Sequence, residues 1–172
     1  TILDPDAPDQ PTTIVVFDES FDTQPNGWTL TNEGVFAEYI PRDWVWTDDL
    51  PNDRQGGAFY AENDPELGNC QEGSDDQSGV VHLDSPAIEL PLGTRPVVLF
   101  DHYIATEERV DGGNLKISVN GGPFEVVPSE AFLFNPYNDT LRLPQGNDKP
   151  LAGEEAFVGA NDTTFPGSWG PS

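Results

Sequence analysis

Apolar residues in this chain come in short β-branched or aromatic runs, separated by clusters of Asn, Asp, Ser, Gly and Pro, and no stretch repeats its apolar positions with a helical period. Thr13-Ile14-Val15-Val16-Phe17 is the first such run, and it passes through Asp18-Glu19-Ser20-Phe21-Asp22 to a turn signal at Pro25-Asn26-Gly27. The same pattern predicts strands over residues 27–31, 43–47, 57–62, 80–84, 87–90, 97–105, 114–120 and 123–127. Two of these predict their faces. In Asn114-Leu115-Lys116-Ile117-Ser118-Val119-Asn120 the odd positions are apolar and the even ones polar, the period of a half-buried strand with Leu115, Ile117 and Val119 inward. Asn120-Gly121-Gly122 then predicts a tight turn into Phe124-Glu125-Val126-Val127. In 97–105, Val98, Phe100, His102 and Ile104 share one face, which leaves Asp101 and Tyr103 on the other. After Pro128 the signal thins to two apolar islands, Ala131-Phe132-Leu133-Phe134 and Ala156-Phe157-Val158.

Composition reinforces this pattern. The 17 Gly and 17 Pro are spread along the whole chain, so ordinary helices have little room, and an all-β fold of short antiparallel strands in two packed sheets is expected. The acidic, Pro-rich residues 1–12 predict an extended linker, with the β-sandwich over 13–172. At 172 residues the chain is long enough for one sizeable core, burying roughly 70% of its extended surface. Ten Phe, four Tyr and four Trp are too many aromatics for a disordered acidic tail.

Charge narrows the partners. The 31 Asp and Glu against 7 Lys and Arg give a formal charge of -24, which repels nucleic acid phosphates and anionic headgroups, and no run is apolar and long enough to insert into a membrane. The absence of Met and of a leader-like start suggests an excised or processed segment of a larger protein. Cys70 is the single cysteine and has no neighbouring cation to activate it.

Three segments together carry a family resemblance: Leu83-Asp84-Ser85-Pro86-Ala87-Ile88, Val97-Val98-Leu99-Phe100-Asp101-His102-Tyr103, and Asp111-Gly112-Gly113-Asn114-Leu115-Lys116-Ile117-Ser118-Val119. With Trp44 and Gly57-Ala58-Phe59-Tyr60 upstream, they resemble MAM domains, most closely the MAM-like modules of bacterial secreted metallopeptidases of the fungalysin type. The resemblance runs from about Phe17 to Val127 and is weak beyond, toward Trp169. It implies an antiparallel jelly-roll sandwich, MAM-like or galactose-binding-like, that does no chemistry and serves adhesion, docking or protein–protein contact beside a catalytic domain. It also implies further strands than this sequence contains, about 40–60 residues of them at ordinary strand and loop lengths, with a second cysteine there as the disulfide partner of Cys70. The sandwich is therefore expected to be incomplete at its C-terminal end, either by truncation or because a neighbouring chain supplies a strand.

The candidate chemistry follows from the acids and aromatics. Calcium takes several oxygen ligands, and carboxylates on adjacent loops supply them: Glu19 and Asp22, Glu62 and Asp64, Asp76, and Asp101 are the candidate ligands for a structural Ca2+. Against this, a chain with 31 acids clusters some of them in any fold. Trp44 and Trp46 alternate around Val45 beside Asp43 and Asp48; outward they would make a stacking platform for sugar rings, inward they are core, the commoner fate of aromatics in a sandwich poor in aliphatics. His82 and His102 sit on strand patterns as structural residues, their spacing with Cys70 does not make a zinc motif, and neither a His-Glu-x-x-His nor a Gly-x-Ser-x-Gly sequence occurs. Asn138-Asp139-Thr140 and Asn161-Asp162-Thr163 match the glycosylation triplet but suit loop and turn chemistry in a bacterial protein. The expected function is thus that of a non-enzymatic accessory module of a secreted or cell-surface bacterial protein, contacting other domains of its polypeptide and a protein or glycan ligand. Two alternatives remain: a self-assembling surface or filament subunit completed by a neighbour's strand, and a carbohydrate-binding module.

Overall fold

The computed structural model describes residues 13–50, 54–62, 77–107, 109–142 and 150–159. Among these the fold is all-β, its one helical element being a 3-10 turn at Ser129–Ala131. The first pair of strands is β1 (Thr29–Gly34) with β4 (Gly79–Asp84), in a register that sets Thr29 against Asp84 and Gly34 against Gly79. Between them in sequence, β2 (Val45–Thr47) pairs with β3 (Ala58–Tyr60). A three-stranded sheet places β9 (Glu155–Val158) between β5 (Gly112–Gly113) and β8 (Asp139–Thr140). The last pair is the hairpin of β6 (Lys116–Ile117) and β7 (Glu125–Val126). All of these pairings are antiparallel.

The hairpin forms where the sequence predicts it. Asn120 and Gly121 both take positive φ, +53° and +73°, and the Gly122 N–H closes the turn on the Val119 carbonyl at 3.0 Å. Its second arm carries one residue more than its first between that closure and the Ile117–Glu125 pair, which is where Pro123, lacking an N–H, falls. The predicted strands at 43–47, 57–62 and 123–127 contain β2, β3 and β7, and β4 begins one residue before its predicted start.

Other expectations are corrected. Residues 13–17 and 87–90 form no strand, and 97–105 contributes only an isolated bridge at Ala105. These runs have strand composition, yet a strand exists only where a neighbour supplies ladder bonds, and no backbone bond joins 14–17 or 97–100 to another described residue. The predicted face of β6 is also inverted. Ile117 and Val119 are exposed, whereas Lys116 is drawn inward by an ion pair to Glu154 at 3.0 Å, the two side chains being 24% and 29% exposed.

Packing centres on β9. Ala156 and Val158 are buried on one face against Leu141, with Leu151 packed beside them. Phe157 points to the other face and meets Tyr137 at 4.8 Å, Phe132 at 6.0 Å and His102 at 4.2 Å between ring centroids. Such two-sided burial explains why Ala156-Phe157-Val158 shows no polar alternation.

Two adjacent side chains tie this sheet to its surroundings. The Tyr137 hydroxyl accepts the Leu115 N–H at 3.0 Å and donates to the Leu115 carbonyl at 3.1 Å. The Asn138 amide accepts the Val158 N–H and donates to the Val158 carbonyl, both at 2.9 Å. Each side chain occupies both polar groups of one backbone residue, as a neighbouring strand would. Removing the Asn138 clamp strands a donor and an acceptor, and removing the Tyr137 hydroxyl strands the Leu115 N–H while the Leu115 carbonyl keeps the Val127 N–H at 2.9 Å, so Asn138→Ala and Tyr137→Phe are each expected to cost about 1–3 kcal/mol in urea unfolding. Leu133→Ser, at a position 78% exposed, should stay within about 0.5 kcal/mol of the parent.

Candidate functional site

The polar and aromatic residues gather in two places. The first lies beneath β2 and β3, where period-2 alternation sends Trp44 and Trp46 to the same side and leaves Val45 exposed. The Trp46 indole N–H donates to the Phe21 carbonyl at 2.9 Å, and the Trp44 N–H donates to the Val81 carbonyl at 3.3 Å. Gly57 allows this approach, because a Cβ there would meet the Phe21 carbonyl and lie 2.7 Å from Trp46 Nε1. Phe21 in turn packs on Trp28 at 5.3 Å and Phe59 at 5.7 Å, with Phe17 at the margin, 6.4 Å from Trp28. Trp44 and Trp46 are half-buried, and their donors are taken up in fastening β2 to β4 and to the segment before β1.

The second place is a cleft of about 300 Å3 lined by His102, Ile104, Asn135, Pro136, Asn138, Phe157 and Val158. Phe157 projects into it from β9, and the Asn138 clamp holds β9 from below. His102 lies over Phe157 and beside Phe100, whose ring centroid is 5.7 Å away. Partial burial lowers the His102 pKa below 6.5, and the Asp101 carboxylate pulls the other way. The cleft thus offers a neutral imidazole, the amides of Asn135 and Asn138 and apolar walls, with no carboxylate, thiol or hydroxyl among its lining residues. That chemistry can seat a small flat or apolar group, with the imidazole as a proton acceptor beside it.

A polar seam runs from this sheet to the hairpin. Asn114 donates to Glu154 Oε2 at 2.7 Å and to the Glu155 carbonyl at 3.2 Å, and Glu155 accepts the Ser129 N–H at 3.1 Å. The bonds from Ser129 hold the Glu155 carboxyl below its ordinary range. On the far edge Arg109 reaches Asp139 at 3.2 Å and the Thr140 carbonyl at 3.3 Å.

The predicted calcium ligands are placed as follows. Glu19 and Asp22 lie on the segment before β1, where Glu19 accepts the Phe21 N–H at 3.0 Å. Glu62 follows β3, and Asp101 stands exposed next to His102. Asp64, Asp76 and Cys70 lie outside the described residues. Among the described residues no three acids, histidines or cysteines come together in a cation-holding group. Sequence reasoning missed Tyr137, Asn138 and Phe157, although Gly153 and Gly159, both with positive φ, bracket β9 as turn signals bracket a short buried strand.

No protein-family model matches this chain, and no curated protein or solved structure is significantly similar to it. No helix among the described residues is long and apolar enough to cross a membrane.

The pH dependence of the cleft has a definite sign. Since folding lowers the His102 pKa, its neutral form contributes stability that is complete above the unfolded value near 6.5 and is lost as pH falls below it. The difference in thermal midpoint between the parent and His102→Gln should therefore change to the parent's disadvantage on going from neutral to mildly acid pH. A difference that stays constant across that window would show that His102 titrates as it does in the unfolded chain.

Proposed function

We propose that this chain is a non-catalytic docking module, a jelly-roll β-sandwich of the MAM-like kind carried by a secreted bacterial multidomain protein such as a metallopeptidase. One observation carries the reading: polar side chains are spent on fastening backbone, while strand-like apolar runs face solvent. Tyr137, Asn138, Asn114, Trp44 and Trp46 all bond to main-chain groups. Meanwhile Ile14, Val15 and Val16 near the beginning, and Val97, Val98, Leu99 and Phe100 in the middle, are exposed. Contiguous apolar surface on an otherwise strongly acidic protein supports binding of another polypeptide. The same runs favour a second form of this reading, in which the partner adds a strand to an incomplete sandwich.

The charge of -24 belongs in this picture as well. Carboxylates at this density repel one another, and an extracellular medium supplies salt to screen them and calcium to bind them. A structural calcium ion drawing on Glu19, Asp22, Glu62 or Asp101, with Asp64 and Asp76, is part of the proposal.

Two measurements test these statements. The complete reading frame should encode an export signal and a catalytic domain beside this module; a frame with neither would overturn the accessory role. Calcium at about a hundred times its Kd should raise the thermal midpoint by roughly 5–10 °C over the value in chelator, and an unchanged midpoint would remove the ion from the proposal.

A further inference from the structure

We propose that the partner of the apolar runs is a second copy of this chain: residues 14–17 of one copy pair, as an antiparallel strand, with residues 97–100 of the other. This rests on the docking reading above and specifies its partner. Both runs are apolar throughout and, Leu99 apart, β-branched or aromatic, and both are open, with exposures from 39% at Phe17 to 77% at Val15 and from 45% at Phe100 to 75% at Leu99. Neither run has a backbone bond to another described residue, so each presents free N–H and C=O groups beside apolar side chains, the template for strand addition. Their ends are anchored in different aromatic groups, Phe17 on Trp28 and Phe100 on His102 and Phe157.

Charge selects the direction and the register. Antiparallel pairing that sets Ile14 against Phe100 also sets Val15 against Leu99, Val16 against Val98 and Phe17 against Val97, matching all four apolar positions. Two residues further, Glu19 falls opposite Arg95. Arg95 is exposed and makes no ion pair among the described residues, and Glu19 has one carboxylate oxygen on the Phe21 N–H with the other left for Arg95. The parallel alternative, Ile14 against Val97, brings Asp18 opposite Asp101. Pairing 97–100 with its own copy sets Arg95 against His102 and gains no opposite charge. Because every copy carries both runs, reciprocal exchange makes two such pairs and closes a two-fold dimer. Each copy's charge of -24 opposes the approach, so added salt strengthens the dimer.

Sedimentation equilibrium over a wide concentration range, at low and at physiological salt, tests this with the full chain. Expected are dimers that tighten with salt and are lost in Val98→Lys and in Val15→Lys. Arg95→Glu should weaken the dimer by about tenfold, and Arg95→Glu combined with Glu19→Arg should restore it. Circular dichroism and an unchanged thermal midpoint of the dilute variants confirm that they fold. Monomers at every concentration and salt, or dimers indifferent to Val98→Lys and to the charge exchange, would overturn the pairing. Amide exchange separates this failure from that of the docking reading. Residues 14–17 and 97–100 should be unprotected in dilute monomer and protected in concentrated protein. Protection already present in the monomer would mean that the surface is covered and would overturn docking itself, while lack of protection in both would overturn only the second copy as occupant.

Discussion

The organisation of this protein depends on satisfying the backbone of a few very short strands. A strand of two to four residues cannot supply a ladder long enough to hold itself, and β5, β6, β7, β8 and β9 are all of that size. Side chains make up the deficit. Tyr137 and Asn138 each take both polar groups of one backbone residue, and Asn114, Ser129 and Glu155 link β9 to the hairpin and the 3-10 turn. Because β9 contributes Ala156 and Val158 to the buried core and Phe157 to the aromatic stack, the clamps on its ends also position most of the close packing.

The same constraint shapes the candidate site. The cleft at His102 exists because Phe157 is held outward from a strand whose neighbours are fixed, and its imidazole stays neutral because rings and aliphatic carbons surround it. Trp44 and Trp46 follow the same rule: their indole donors reach backbone carbonyls, so their rings brace one strand pair against another segment. Where no side chain or strand fills this role, as at residues 14–17 and 97–100, strand-like sequence stays open to solvent. Those open runs, beside polar side chains turned to the protein's own backbone, are the observation on which the proposed docking role rests.

Several features were legible in the residues alone. Punctuation by Gly and Pro excluded a helical fold, and Asn120-Gly121 located the hairpin, because a turn with two positive φ angles is a local event. The alternation of Trp44, Val45 and Trp46 placed both indoles on one side for the same reason. The candidate site was less legible. His102 was assigned a structural place on a strand face, but its partner Phe157 is 55 positions away in an apolar island too short to announce a strand.

What the sequence by itself determined is the all-β class, the hairpin and the sign of the protein's electrostatics, each of which follows from residue type or from neighbours within a few positions. Which runs become strands, and which of their faces are buried, only the tertiary structure decided. Val97, Val98, Leu99 and Phe100 have a better strand composition than Gly112-Gly113, yet it is the glycine pair that lies in a sheet, because β9 runs beside it. Ile117 is more apolar than Lys116, yet Lys116 turns inward, because Glu154 awaits it there. Pairing in a sheet is a contract between distant segments, and neither partner's sequence carries the other's position.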